Sequence, residues 1–144
     1  MLRTSLLLSG FALALSACIP DKLNTEPEVR GVSLRGSMME VHQPQDGDRL
    51  SVTSGRDVRI FLQSNATTGY LWYFTQDIDG AVFEFRGGDY ISDPNPHGMV
   101  GVGGMQTFDF SAISPGKVVL AFRLSRGMDG PPAETRRITV LVTP

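Results

Sequence analysis

The chain has 144 residues, 41% hydrophobic and 19% charged, with a formal net charge of -2. That suits one compact domain with a short extension and argues against a second. The near-neutral balance, with no Lys/Arg block, argues against a nucleic-acid partner, and the single cysteine, Cys18, rules out an intramolecular disulfide.

In chain order, Arg3 precedes an apolar stretch at 6–15 that falls short of the roughly 20 residues a bilayer-spanning helix needs, so it has the layout of a secretory signal. It ends in Leu15-Ser16-Ala17-Cys18, which resembles the bacterial lipobox, where the cysteine receives a diacylglyceryl thioether before cleavage and N-acylation. Residues 1–17 are therefore expected to be a lipoprotein signal peptide and Cys18 the lipidation site. Acyl chains gain about 0.8 kcal/mol per buried CH₂, so several of them anchor durably. Ile19 is not the aspartate of an inner-membrane retention signal, which leans toward an outer-membrane lipoprotein of a bacterial envelope, facing the periplasm or the surface. Residues 18–36 are polar, carry Pro20 and Pro27 and show no apolar period, so a flexible tether is expected there, with the folded domain at 37–144.

Within the domain, short β-like runs recur at 38–42, 50–53, 58–63, 70–74, 82–86, 106–111, 117–123 and 137–142, separated by glycine- and proline-containing turns. Apolar residues alternate within them: Val58, Ile60 and Leu62; Tyr70, Trp72 and Phe74; Phe108 and Phe110; Val118, Leu120 and Phe122; Ile138, Val140 and Val142. No stretch carries helical periodicity of useful length. The expectation is an all-β chain, a two-sheet sandwich of about seven to eight antiparallel strands, with a small closed barrel as the second choice. Two segments break the rhythm, 91–104 and 125–136; both are rich in glycine and proline and are expected to be long loops.

Three loop motifs stand out. Asn65-Ala66-Thr67-Thr68-Gly69-Tyr70, continuing into Leu71-Trp72, is a polar turn between apolar strands. Asn65 and Gly69 are ordinary turn residues, whereas adjacent β-branched threonines stiffen the loop and are expected to present hydroxyls outward. Gly101-Val102-Gly103-Gly104 precedes the run at 106–111. It matches neither dinucleotide nor phosphate loop patterns and no helix follows, so its glycines read either as a flexible hairpin or as backbone open to a partner's extended segment. Arg126-Gly127-Met128 puts a planar cation and an adaptable apolar side chain at the tip of a hairpin-like connection.

Taken together, these loops resemble the chagasin family of cysteine protease inhibitors, the I42 inhibitors, whose pattern is N-P-T-T-G-[YF]-x-W, then G-x-G-G before an aromatic strand, then R-P-W before the last strand. The first motif departs only at Ala66, the second is closely matched, and in the third Gly127 and Met128 replace proline and tryptophan. The resemblance spans about 49–142, with the motifs in order. It implies an immunoglobulin-like β-sandwich whose three loops form a wedge in the active-site cleft of papain-like (C1 family) proteases. By position, Thr67 and Thr68 would lie nearest the target's catalytic Cys and His, Gly101 to Gly104 along the non-primed side, and Arg126 to Met128 on the primed side. The implied action is reversible blockade without covalent chemistry, by a chain that needs no cofactor and is expected to act as a monomer. Met128 in place of tryptophan removes an anchor of a kind that can contribute 2 kcal/mol or more, roughly thirtyfold in affinity.

Two other readings compete with this one. Catalysis has little to draw on: Cys18 is committed to lipidation, His42 and His97 lack metal-ligand spacing, and Asp46, Asp48 and Asp57 flank turns where carboxylates cap or stay solvated. A non-inhibitory immunoglobulin-like module that binds another envelope protein shares every core feature, and the altered third motif favours it.

Overall fold

The computed structural model describes residues 30–144; the expected signal segment, Cys18 and most of the expected tether lie outside the described residues. Among the described residues ten strands form two sheets: β1 Val32–Arg35, β2 Met38–His42, β3 Arg49–Thr53, β4 Asp57–Ser64, β5 Tyr70–Phe74, β6 Phe83–Gly87, β7 Tyr90–Ser92, β8 Gly104–Ala112, β9 Gly116–Arg126 and β10 Pro132–Thr143. One sheet runs β1-β2-β4-β8-β6, with β7 also on β8; the other runs β3-β10-β9-β5. The chain crosses between sheets at β2 to β3, β3 to β4, β4 to β5, β5 to β6 and β8 to β9, which makes the two layers a sandwich.

The strands form where alternation lets one face leave water. Along β4 the pattern puts Val58, Ile60 and Leu62 fully inside, and β9 and β10 do the same with Val118, Leu120 and Phe122 and with Ile138, Val140 and Val142. At about 25 cal/mol per Å² of apolar surface removed from water, these side chains dominate the drive to fold. Phenylalanines from both sheets interlock at the centre: Phe83 stacks on Phe110 with centroids 5.2 Å apart, and Phe108 meets Phe122 edge-on at 4.9 Å. On the outer face, Arg59 and Asp109 are paired residues of the β4–β8 ladder and form a two-pronged ion pair at 2.6 and 2.7 Å. The hydrogen bond to Asp109 raises the Arg59 pKa against the opposing effect of burial.

Several expectations are corrected. The pairings are not all antiparallel: β2 runs parallel to β4, to which it is joined through β3 of the opposite sheet, and β3 runs parallel to β10, the last strand of the chain. Alternation reports which face of a strand is buried and is silent on the direction of its neighbour. Two strands were not expected. β1 overlaps the segment read as tether and β7 lies within the segment read as loop; both are short ladders at sheet edges, β1 is exposed along its whole length, and the single Val32–Leu34 alternation and the three residues of β7 are too short to mark a buried face. The segment at 125–136 is mostly strand, since β9 and β10 stay paired from Val142–Gly116 out to Pro132–Ser125, leaving only 127–131 as the tip. That extension is polar and solvated, held by backbone hydrogen bonds with little core behind it.

Candidate functional site

The three motif loops meet at one end of the sandwich. β4 ends at Ser64 and β5 begins at Tyr70, and between them a single turn of 3-10 helix, Ala66–Thr68, is capped by Asn65. Asn65 organises the turn. Its Oδ1 accepts from Thr67 N at 3.1 Å and from Thr67 Oγ1 at 2.5 Å, while its backbone oxygen accepts from Thr68 N at 3.1 Å and Thr68 Oγ1 at 2.8 Å. Both threonine hydroxyls therefore donate back into the loop. The expectation that the hydroxyls are presented outward is corrected in part: both threonines are exposed, but their hydroxyl protons are spent on Asn65 and stiffen the turn. Gly69 closes the helix in the left-handed region, φ 78°, where a side chain would be strained.

The other half of the Asn65 amide reaches the second loop, with Nδ2 donating to Gly101 O at 3.0 Å. Below that bond, Ser64 and Gly104 are ladder partners, so the central loop and the glycine loop leave the same pair of strands. The glycines divide by role. A Cβ on Gly104 would lie 2.5 Å from Ile91 O and 2.6 Å from Tyr90 Oη, so packing requires that glycine; Gly101 has open space where its Cβ would be and is favoured instead by its left-handed backbone, φ 84°. Only the outer part of the motif thus leaves backbone accessible to a partner. Tyr90, pressed against Gly104, also brings its hydroxyl to 3.4 Å from Ala66 N, a weak contact that a proline at this position would forgo for lack of an N–H.

The third loop joins through β5. Tyr70 is the ladder partner of Arg126, and the Arg126 guanidinium lies over the Tyr70 ring at 5.1 Å. Ser125 Oγ donates to Gly127 O at 2.8 Å and fixes the start of the tip. Met128 projects from it, 66% exposed. Arg126, expected at the loop tip as a planar cation for a partner, thus also braces the central loop. Ser64, Asn65, Tyr70, Asp93, Gly103 and Leu124 line an open groove beside the loops.

Every motif residue expected at the site, from Asn65 to Tyr70, Gly101 to Gly104 and Arg126 to Met128, is placed at this end. Sequence reasoning missed the struts: Tyr90, whose ring packs on the glycine loop, and Gln106, whose side chain reaches Trp72 on the other sheet. It also passed over Met99 and Val100, exposed apolar residues directly before Gly101, with Val100 100% exposed. An apolar pair abutting a glycine motif was the available signal. Of the three carboxylates expected to cap turns or stay solvated, Asp48 caps its own turn, its Oδ2 accepting from Gln45 N at 2.8 Å, whereas Asp46 Oδ1 accepts from Arg137 N on β10 at 2.7 Å and Asp57 Oδ1 from Ser111 Oγ on β8 at 2.7 Å. His42 stacks flat on Phe61 at 4.3 Å, a packing role.

Comparison with known proteins gives a consistent result. The family model described as Chagasin family peptidase inhibitor I42 matches residues 51–142, a span that contains all three loops. Chagasin of Trypanosoma cruzi is 28% identical over 105 residues, covering 70% of this chain and 93% of the relative. Among solved structures, the cysteine protease inhibitor EhICP2 of Entamoeba histolytica superposes with a TM-score of 0.62 at 20% identity, covering 74% of this chain and 96% of that one. PbICP-C, solved in complex with falcipain-2, superposes with a TM-score of 0.58 at 17% identity, covering 75% and 100%. At these identities the structural likenesses establish the immunoglobulin-like sandwich.

Asn65→Ala removes the cap, both side-chain links within the turn and the tie to Gly101. Loss of a cap of this kind costs about 1 kcal/mol, and the variant is expected to lose about 1–2 kcal/mol in denaturant unfolding, with amide signals of 66–69 and 100–103 shifting together in NMR spectra. A shift confined to 66–69 would show that the Gly101 bond does not couple the loops.

Proposed function

Because this chain belongs to the chagasin family of peptidase inhibitors, we propose that it is a reversible inhibitor of papain-like cysteine proteases that closes their active-site cleft with the three loops at one end of its sandwich. A member of such a family is a ligand of proteases and not itself an enzyme. The observation that carries the mode of action is the joining of the loops: Asn65 ties the central loop to Gly101, and Arg126 lies over Tyr70, so all three are preformed as one surface. Preformed loops lose little conformational entropy on docking, which lets a small contact bind tightly.

The chemistry of the wedge fits this role. Thr67 and Thr68 are exposed at the crest of the turn, and their hydroxyl protons are already engaged within it. A target's thiolate facing that crest meets a rigid obstacle. On either side stand the exposed apolar residues Val100 and Met128, available to be desolvated by a partner. The falcipain-2 bound to PbICP-C belongs to that neighbour's structure, and it supports a cysteine protease as the class of partner here.

The purified protein, titrated against papain, is expected to inhibit at submicromolar concentration. Replacing both crest threonines, Thr67→Arg with Thr68→Arg, is expected to weaken inhibition at least a hundredfold, about 2.7 kcal/mol, while circular dichroism stays that of a folded sandwich. A folded natural protein that leaves papain active at micromolar concentration would instead support the non-inhibitory module. Met128→Trp tests the third loop, and tightening of roughly thirtyfold is expected if the loop reaches the enzyme, against no change if it stays in solvent.

The lipobox-like Leu15-Ser16-Ala17-Cys18 supports a further reading, that acyl chains on Cys18 hold the domain at a bacterial envelope membrane, with the outer membrane favoured by Ile19. Cells expressing the full chain and fed a labelled fatty acid are expected to label it, and Cys18→Ser to remove the label. Label retained by the serine variant would refute acylation at that residue.

A further inference from the structure

β5 carries the central loop at its start, and among the strands of the described residues it is an edge strand beside β9, with one further bridge from Tyr70 back to Asn65. The backbone groups on its free side need partners that no neighbouring strand supplies. At Trp72 a single side chain supplies both. Gln106 Oε1 accepts from Trp72 N at 2.6 Å, and Gln106 Nε2 donates to Trp72 O at 3.0 Å. A primary amide has the same donor and acceptor, side by side in one plane, that a residue of an adjacent strand would offer, so Gln106 stands in for the missing strand.

Its position matters more than its strength. Gln106 lies two residues along β8 from Gly104, where the glycine loop ends, and Trp72 lies two residues along β5 from Tyr70, where the central loop ends. β8 and β5 belong to different sheets. The bonded pair therefore spans the gap between the sheets directly beneath the two loops. It backs up the single Asn65–Gly101 bond at the crest with a second, half-buried tie at the base.

We propose that Gln106 is a positioning residue for inhibition: without touching the protease, it sets how the central loop stands relative to the glycine loop. The proposal rests on the reading that these loops form the contact surface. The residue type is specific, because the site demands one acceptor and one donor at once. A glutamate offers only acceptors when ionised and sets a negative charge against Trp72 O. When protonated it again has one O–H donor and one C=O acceptor, and half-burial beside a carbonyl favours that neutral form.

The test measures the inhibition constant for papain with the natural protein, Gln106→Glu and Gln106→Met, from pH 7.5 to pH 4.5. At pH 7.5 both variants are expected to be folded and to inhibit about tenfold or more weakly, the methionine variant for two lost hydrogen bonds and the glutamate variant for one lost bond and a negative charge set against Trp72 O. On acidification the glutamate variant is expected to approach the natural protein to within about threefold, while the methionine variant, which has the length but neither bond, stays weak. A role in packing alone predicts no such divergence. Folded variants that inhibit like the natural protein at every pH overturn the proposal, and so does unfolding of both variants at every pH, which would make Gln106 a residue of the fold at large.

Amide NMR of the same three proteins without protease separates this proposal from the reading beneath it. Joint displacement of the 66–69 and 100–103 signals in Gln106→Met, reversed toward low pH in Gln106→Glu, supports the positioning role even if the natural protein leaves papain active. Unmoved loop signals overturn it.

Discussion

Trp72 is buried at the loop-bearing end of the sandwich, 2% exposed, and every polar group it carries is tied to a strand of the opposite sheet. Its indole N–H donates to Gln63 O on β4 at 2.9 Å, and its backbone N and O are both held by Gln106 on β8. The Arg136 guanidinium covers the ring at 4.7 Å and reaches on to Pro44 O at 2.9 Å. A buried indole N–H left without a partner costs about 1–3 kcal/mol, so the ring can settle only where β4 comes within reach. Apolar contact alone would hold the sheets face to face while allowing them to slide. These directional bonds fix one placement, and the loops grow from the strands so placed.

From that base the site is built by short, local bonds. Asn65 uses both ends of its side-chain amide, one inward to Thr67 and one outward to Gly101, so the turn is capped and the second loop captured by the same residue. The pair of threonines adds stiff χ1 angles and two further internal hydrogen bonds. Ala66, where the family pattern has proline, gives up a fixed φ worth roughly 0.4 to 1 kcal/mol and keeps an N–H directed at Tyr90 Oη. Rigidity is thus distributed over caps, hydroxyls and the Tyr90 strut, and it does not hang on the one departure. Affinity is a different matter: Met128 is 66% exposed, so the third loop is where a partner's shape has most to decide.

The difference between what could be read and what could not follows a physical line. Alternation of Val58, Ile60 and Leu62, of Phe108 and Phe110, and of Ile138, Val140 and Val142 marked strands with one dry face, since period-two burial is written residue by residue. β1 and β7 left no such mark, because an edge ladder can be held by a neighbour's backbone while its own side chains stay in water. The parallel pairing of β2 with β4 was hidden for a related reason: strand direction depends on the path of the chain through the other sheet. At the site, the motif residues were legible as a set, and the direction of the Thr67 and Thr68 hydroxyls was not, because it follows from where Asn65 oxygens lie once the turn has closed.

The amino-acid sequence by itself determined an all-β chain, the positions of its core faces, the family it belongs to and the three loops at issue, since each is encoded in residues close together along the chain. The tertiary structure decided which strands neighbour which, that Gly104 answers to internal packing while Gly101 stays open, and that Gln106 completes the edge of β5. Those contacts join residues from distant parts of the chain and from separate sheets. They exist only after apolar burial has brought the sheets together, and no local pattern records them.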